Sequence, residues 1–268
     1  MYVIGSESSF LNNNHALSDC FTGSIRFREG IWFNGNPPDG ICDEEAFRSI
    51  FGRLPNSGEV GCALAHRNVY EEFSNASQEW ALILEDDSII RDEAVLQECL
   101  QQVMSSGFAR HPTIASFFTR QFSAPLFIKL RQPLECFVEL ERPVTSTLGY
   151  LINQKAAAQL TLTQTPVQST ADWPRGAATC SFLLTNKPVL DHSPDPTSIG
   201  SRPNRSRFFE AQLISGVWYV RYRRYFLDFR DYVWLLIKPR IRERSQQLLD
   251  VFGQSRYRWT LGTDQDPK

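Results

Sequence analysis

Trp80-Ala81-Leu82-Ile83-Leu84-Glu85-Asp86-Asp87 is the stretch around which the chain is organised. Its apolar half reads as a short, fully buried strand. Its acidic half places three like charges where that strand emerges. Adjacent carboxylates repel one another, so clustering them gains nothing unless a positive group binds there. Magnesium and manganese prefer oxygen ligands and are often held by one or two carboxylates together with a substrate's phosphates. In open α/β sheets, ligands sit beyond the carboxyl ends of strands. One reading is therefore a metal–phosphate site at a strand end. The other is a solvated acidic loop, or a helix N-terminus whose dipole welcomes acids.

Upstream, Asn56 and Glu59 have capping-box spacing and open a helix that runs to about Phe73. Cys62, His66, Val69 and Phe73 share one face of it. On spacing alone His66 reads as a hydrogen-bonded core histidine, and Cys62 and Cys99 as small core residues. Gly61 inside the helix costs roughly 1 kcal/mol relative to alanine, which points to close packing or ligand approach. Residues 1–5 read as the first strand, ending at Gly5 and Ser6, where small residues let a ligand near the backbone or simply make a turn.

The remaining order follows from pattern. Asn12-Asn13-Asn14-His15 reads as polar loop or cap, with His15 exposed, and Ile25–Phe33 as a second strand. Asp43 caps a short helix to about Phe51, and Asp92–Met104 is a helix with Val95, Leu96, Cys99, Leu100 and Val103 inward. Thr113–Phe118 and Phe137–Leu140 read as strands, Phe122–Leu130 as a looser aromatic stretch. Leu148–Ile152 leads into an alanine-rich helix from Gln154, Asp172-Trp173-Pro174 lies in a loop, and Lys187–His192 is extended.

The 268 residues suit one large α/β domain, or a domain plus a C-terminal appendage. Met1-Tyr2-Val3-Ile4 offers neither a basic n-region nor a long apolar h-region, so no signal peptide is expected. No apolar run reaches the roughly 18 residues of a membrane span. None of the six cysteines forms a CxxC pair, which argues against a zinc site of that kind, and free thiols in a reducing cytosol are the simplest reading.

The net charge of −2 conceals an asymmetry: residues 1–200 hold 14 basic and 23 acidic residues, residues 201–244 hold 11 and 4. Residues 193–206 read as a Ser/Pro/Asn/Arg linker. Residues 207–244 interleave aromatics such as Trp218, Tyr222, Phe226 and Trp234 with eight arginines and one lysine. One or two basic–aromatic helices of this kind suit an anionic membrane surface. Plain packing with snorkelling arginines is the alternative, and nucleic acid is not favoured. The expected organisation is a domain over 1–206, a helical extension over 207–254 and a tail over 255–268.

Gly58-Glu59-Val60-Gly61-Cys62-Ala63-Leu64-Ala65-His66-Arg67, followed by Trp80–Asp87, resembles glycosyltransferase family 25, whose bacterial members extend lipooligosaccharide or lipopolysaccharide cores and whose relatives include the collagen galactosyltransferases. Leu148–Ile152 and Ala171-Asp172-Trp173 resemble its later motifs. The resemblance covers about residues 45–200. Gly5-Ser6-Glu7-Ser8-Ser9 departs from the family's N-terminal pattern, which carries an arginine there, and Ala65 replaces its serine.

The resemblance implies a GT-A-like, Rossmann-type α/β fold and inverting transfer, typically of galactose from UDP-galactose with Mn2+ (or Mg2+). It makes Glu85 and Asp87 metal ligands with His192 as a late third. Asp86 meets the ribose or sugar, Gly5, Ser6, Gly61 and His66 support the donor, and Asp172 is the general base. The acceptor is then a lipid-linked oligosaccharide, and the enzyme is cytoplasmic, peripheral on the inner face of the membrane. A catalytically degenerate domain that binds a membrane surface or a partner is the competing reading.

Overall fold

The computed structural model describes residues 1–15, 25–117, 131–140, 143 and 146–193. Strand β3 (Trp80–Glu85) explains the layering. Its side chains alternate, so Ala81 and Ile83 enter one core while Leu82 and Leu84 enter the other. A strand buried on both faces needs a covering layer on each side.

The central sheet has eight strands among the described residues. Besides β3 they are β1 (Tyr2–Ile4), β2 (Arg26–Arg28), β5 (Thr113–Ser116), β6 (Arg131–Leu134), β7 (Phe137–Leu140), β8 (Gly149–Asn153) and β9 (Ser181–Thr185), in the order β2-β1-β3-β8-β5-β9-β7-β6. The sheet is mixed: β2, β1 and β3 run parallel, β8 is antiparallel to both its neighbours, and β5 and β9 are parallel again. β4 (Ser88–Ile90) and β10 (Leu190–His192) form a separate antiparallel pair that sets His192 opposite Ser88.

Helices cover both faces. On one, α3 (Ser57–Ser74) and α5 (Gln154–Thr163) bury Ala65, Val69, Tyr70, Phe73, Ala156, Ala157 and Leu160 against Ile83, Tyr150 and Ile152. On the other, Phe10 of α1 (Glu7–Asn13) and Leu96, Cys99 and Val103 of α4 (Glu93–Met104) pack on Val3, Leu84 and Leu151. The short α2 (Glu44–Phe51) starts at the Asp43 cap and stops at Gly52, whose left-handed backbone suits glycine. The capping box at Asn56 and Glu59 is formed, and it starts α3 at the predicted place.

Two local expectations are refined. Of the loop and cap readings of the asparagine run, the cap holds: Asn12 and Asn13 end α1, and Asn14 follows as a buried cap. Its amide donates to the Phe10 and Ser88 carbonyls and its Oδ1 accepts from Ile90 N–H, so a polar residue is fully used in holding α1 to β4. The second strand is only Arg26–Arg28, because beyond it Ile31 and Phe33 turn into the small cluster around Val60 and Val167 instead of pairing. The aromatic stretch 122–130, the linker beyond Ser193, the basic–aromatic segment 207–254 and the tail 255–268 lie outside the described residues. No described helix is long and apolar enough to cross a membrane.

Candidate active site

The acidic end of β3 meets four elements at once. β1 lies parallel beside it and ends in Gly5, whose φ of +119° is open to glycine alone at low cost. A Cβ on Gly5 would lie 2.3 Å from the Asp86 carboxyl carbon. That closeness lets Asp86 Oδ2 accept the Ser6 N–H at 2.7 Å, while Asp86 N–H donates to Ile4 O at 3.0 Å. Asn13 adds a bond to the Asp86 carbonyl at 3.2 Å. Gly5, Ser6 and Asp86 therefore meet where β1 and β3 end.

Asp87 lies on the side of the β4–β10 pair. Ser193 N–H donates to the Asp87 carbonyl at 2.8 Å, and the strand register carries His192 alongside. His192 Nε2 lies 3.0 Å from Asp87 Oδ2, and His192 Nδ1 donates to the Ser193 carbonyl at 2.7 Å. The second bond fixes where one ring proton sits and leaves Nε2 facing the carboxylate. Asp87 Oδ1 is buried without a hydrogen-bond partner. Burial, then the Glu85 charge, push the Asp87 carboxyl up to about 6, against an opposing pull from His192. Neighbouring Asp191 pairs with Arg91.

Glu85 faces the other way, toward α3. Its Oε1 accepts the Thr147 hydroxyl at 2.6 Å and lies 3.3 Å from His66 Nε2. Burial would raise the Glu85 carboxyl, but His66 and Thr147 outweigh it and hold it below its usual range. His66 is buried, and its Nδ1 meets the Tyr150 hydroxyl at 2.8 Å, which in turn donates to the Tyr70 hydroxyl at 2.8 Å. The core reading of His66 is met, and the same side chain reaches Glu85.

Asp172 lies in the loop before the 3-10 turn Arg175–Thr179. Its Oδ1 accepts the Ser146 N–H at 3.0 Å and so holds Ser146 at φ +100°. Ser146 precedes Thr147, so the loop that Asp172 anchors is the one that reaches Glu85. Gly61 serves close packing: a Cβ there would stand 1.9 Å from the Ile31 carbonyl oxygen.

Sequence reasoning missed Thr147 and Tyr150 as partners of the acidic end, and Tyr70 behind them. It also placed Cys62 in the core, whereas Cys62 is half-buried with its sulfur near His66 and Glu85. Its place one turn before His66 on α3 was the available signal.

Residues 45–173 match the family model described as glycosyltransferase family 25 (LPS biosynthesis protein). Over those residues, just under half of the chain, the protein is similar to glycosyltransferase family 25. The matched span takes in α3, the acidic end of β3, Thr147, Tyr150 and Asp172. His192 and the β1 turn at Gly5 fall outside it. Among solved structures the chain is similar to a crystal structure of an active-site mutant of LgtC, with 11% identity, 78% of this chain and 94% of that chain covered, and a TM-score of 0.28. No curated protein matches the sequence.

Proposed function

We propose that this glycosyltransferase is an inverting, metal-dependent hexosyltransferase with a GT-A-like fold. It moves a hexose, galactose from UDP-galactose by the habit of its family, onto a lipopolysaccharide or lipooligosaccharide core. The observation that carries the reading is the pairing of Asp87 Oδ2 with His192 Nε2 beside a buried, unpartnered Asp87 Oδ1. A carboxylate and an imidazole lone pair facing each other suit a divalent cation as their third party.

Asp87 and His192 would hold Mn2+ or Mg2+, with Glu85 adding charge from the same strand end. When bound, such an ion neutralises the diphosphate that leaves. Asp86, already accepting from Ser6 N–H, sits at the adjoining ends of β1 and β3, where a nucleotide's ribose would meet its carboxylate. Asp172 is the candidate base. Its carboxylate takes the proton of the acceptor hydroxyl as that oxygen attacks the anomeric carbon from the face opposite the diphosphate, which gives inversion. Backbone donation from Ser146 N–H holds the carboxylate in place meanwhile.

The acceptor is a lipid-linked oligosaccharide at the inner face of the cytoplasmic membrane. The +7 balance and aromatic content of residues 201–244 support peripheral attachment to anionic lipid. The reading is tested by release of UDP from UDP-galactose in the presence of lipopolysaccharide core acceptor, with manganese or with a chelator. Manganese-dependent release in wild type, abolished in Asp87→Asn, supports it. Release by Asp87→Asn near the wild-type rate removes Asp87 from the site.

A further inference from the structure

Three potential ligand atoms converge beside the donor site. Cys62 and His66 stand four residues apart on α3 and so project to the same side. Glu85, at the carboxyl end of β3, faces both. The Cys62 sulfur, a His66 ring nitrogen and a Glu85 carboxylate oxygen all lie within 4.8 Å of one another.

The hydrogen-bond chain behind His66 fixes its protonation pattern. Tyr150 gives its single hydroxyl proton to Tyr70, so the bond between Tyr150 and His66 must use the proton on His66 Nδ1. That leaves His66 Nε2 pointing at Glu85. The side chain is 1% exposed, Nε2 has no aligned hydrogen-bond partner, and it lies 3.3 Å from Glu85 Oε1. A ring nitrogen and a carboxylate oxygen held that close in a buried setting require a proton or a cation between them.

The separation fits a cation. Zinc bonds of about 2.0–2.2 Å to nitrogen and oxygen, at a tetrahedral angle, place the two ligand atoms about 3.3 Å apart. Outer partners are also present. Tyr150 orients His66 from its far nitrogen, and Thr147 takes the second lone pair of Glu85 Oε1. The donor set, one thiolate, one imidazole and one carboxylate, favours zinc over the oxygen-seeking magnesium and manganese.

We propose that Cys62, His66 and Glu85 form a three-ligand site for a zinc-class divalent cation, separate from the Asp87–His192 pair. Cys62 and Glu85 are both half-buried, so a water would complete the ligand set. Burial, with Glu85 and Asp172 nearby, keeps the free thiol protonated and inert, so that proton is released to solvent when the cation enters. The ion ties α3 to the end of β3 and draws on Glu85, two residues from Asp87. This site stands whether or not the domain transfers a hexose.

The test uses the full-length chain. Zinc affinity is read by competition with a chromophoric chelator, and Co2+ serves as an optical probe of sulfur ligation. Wild type should bind zinc roughly 100-fold more tightly than Cys62→Ser, since losing a ligand costs at least as much as losing an outer partner. Co2+ should give a sulfur-to-metal absorption band in wild type, Asp87→Asn and Cys180→Ser, and none in Cys62→Ser. Zinc should raise the melting temperature of wild type and not of Cys62→Ser. Cys62→Ala replaces the serine variant if that one does not fold. A folded wild type without tight zinc binding, or with zinc affinity unaltered in either Cys62 variant, overturns the proposal and leaves a proton between His66 and Glu85. Because Asp87→Asn removes the other pair, loss of manganese-dependent nucleotide binding there reports on the transferase reading alone.

Discussion

His192 Nε2 lies 3.0 Å from Asp87 Oδ2 while His192 Nδ1 donates to the carbonyl of Ser193 at 2.7 Å. The two residues are 105 positions apart in sequence and meet because β10 pairs antiparallel with β4, next to the acidic end of β3. With Nδ1 committed to the backbone, the metal-free pair must share one proton between nitrogen and carboxylate. A bound cation replaces that proton.

The same geometry makes Asp87 costly to the empty protein. Its carboxyl is raised from 3.8 to about 6 by burial and by Glu85. Above pH 6 both folded and unfolded states carry the charge, and the folded state carries it at a penalty of about 1–3 kcal/mol. As pH falls from 6 toward 3.8, the folded state takes up a proton that the unfolded state does not, and stability recovers. Asp87→Asn should therefore stabilise the metal-free protein at pH 7–8 by about that amount, with the gain vanishing near pH 4. Urea melts across this range check it; a variant less stable than wild type at pH 7.5 would contradict the assignment.

Asp172→Asn separates base from anchor. The amide oxygen still accepts the Ser146 N–H, so the loop carrying Thr147 stays in place. Turnover should fall roughly 10²–10⁴-fold with nucleotide affinity unchanged. Asp172→Ala should also loosen the loop and lower the melting temperature. Turnover of Asp172→Asn near wild type would leave Asp172 only its role in holding Ser146.

Gly5→Ala places a methyl group 2.3 Å from the Asp86 carboxyl carbon, at a φ of +119°. The turn must open, at a cost of roughly 2–3 kcal/mol, and UDP binding should weaken with it. A melt and a nucleotide titration on the same sample check both. Unchanged nucleotide affinity would detach this turn from the donor site.

The parts of the fold that read correctly from sequence are those whose signal is local. The Asn56–Glu59 box fixes the start of α3 within the chain itself, and the buried run Ala81–Leu84 shows β3 without help from its neighbours. The acidic end followed from that strand, and the family motifs grouped His66 and Asp172 with it. Helix α1 was not legible because only Phe10 on it is buried and Leu11 is 39% exposed, so it carries no apolar stripe. Thr147 and the sulfur of Cys62 acquire their partners from strand pairing and helix docking, and no spacing along the chain reports those contacts. The single strand expected over Ile25–Phe33 fails for the same reason: Ile31 is captured by α3, whose Gly61 leaves room for its carbonyl.

The central claim is a cation-dependent nucleotide-sugar site built on Asp87 and His192. Calorimetric titration of UDP-galactose into wild type, Asp87→Asn and His192→Gln, with and without manganese, tests it most directly. The account predicts binding that needs manganese in wild type and weakens roughly 100-fold in each variant while both stay folded. Binding indifferent to manganese and to both substitutions, or no binding of any UDP-sugar by folded wild type, would contradict it.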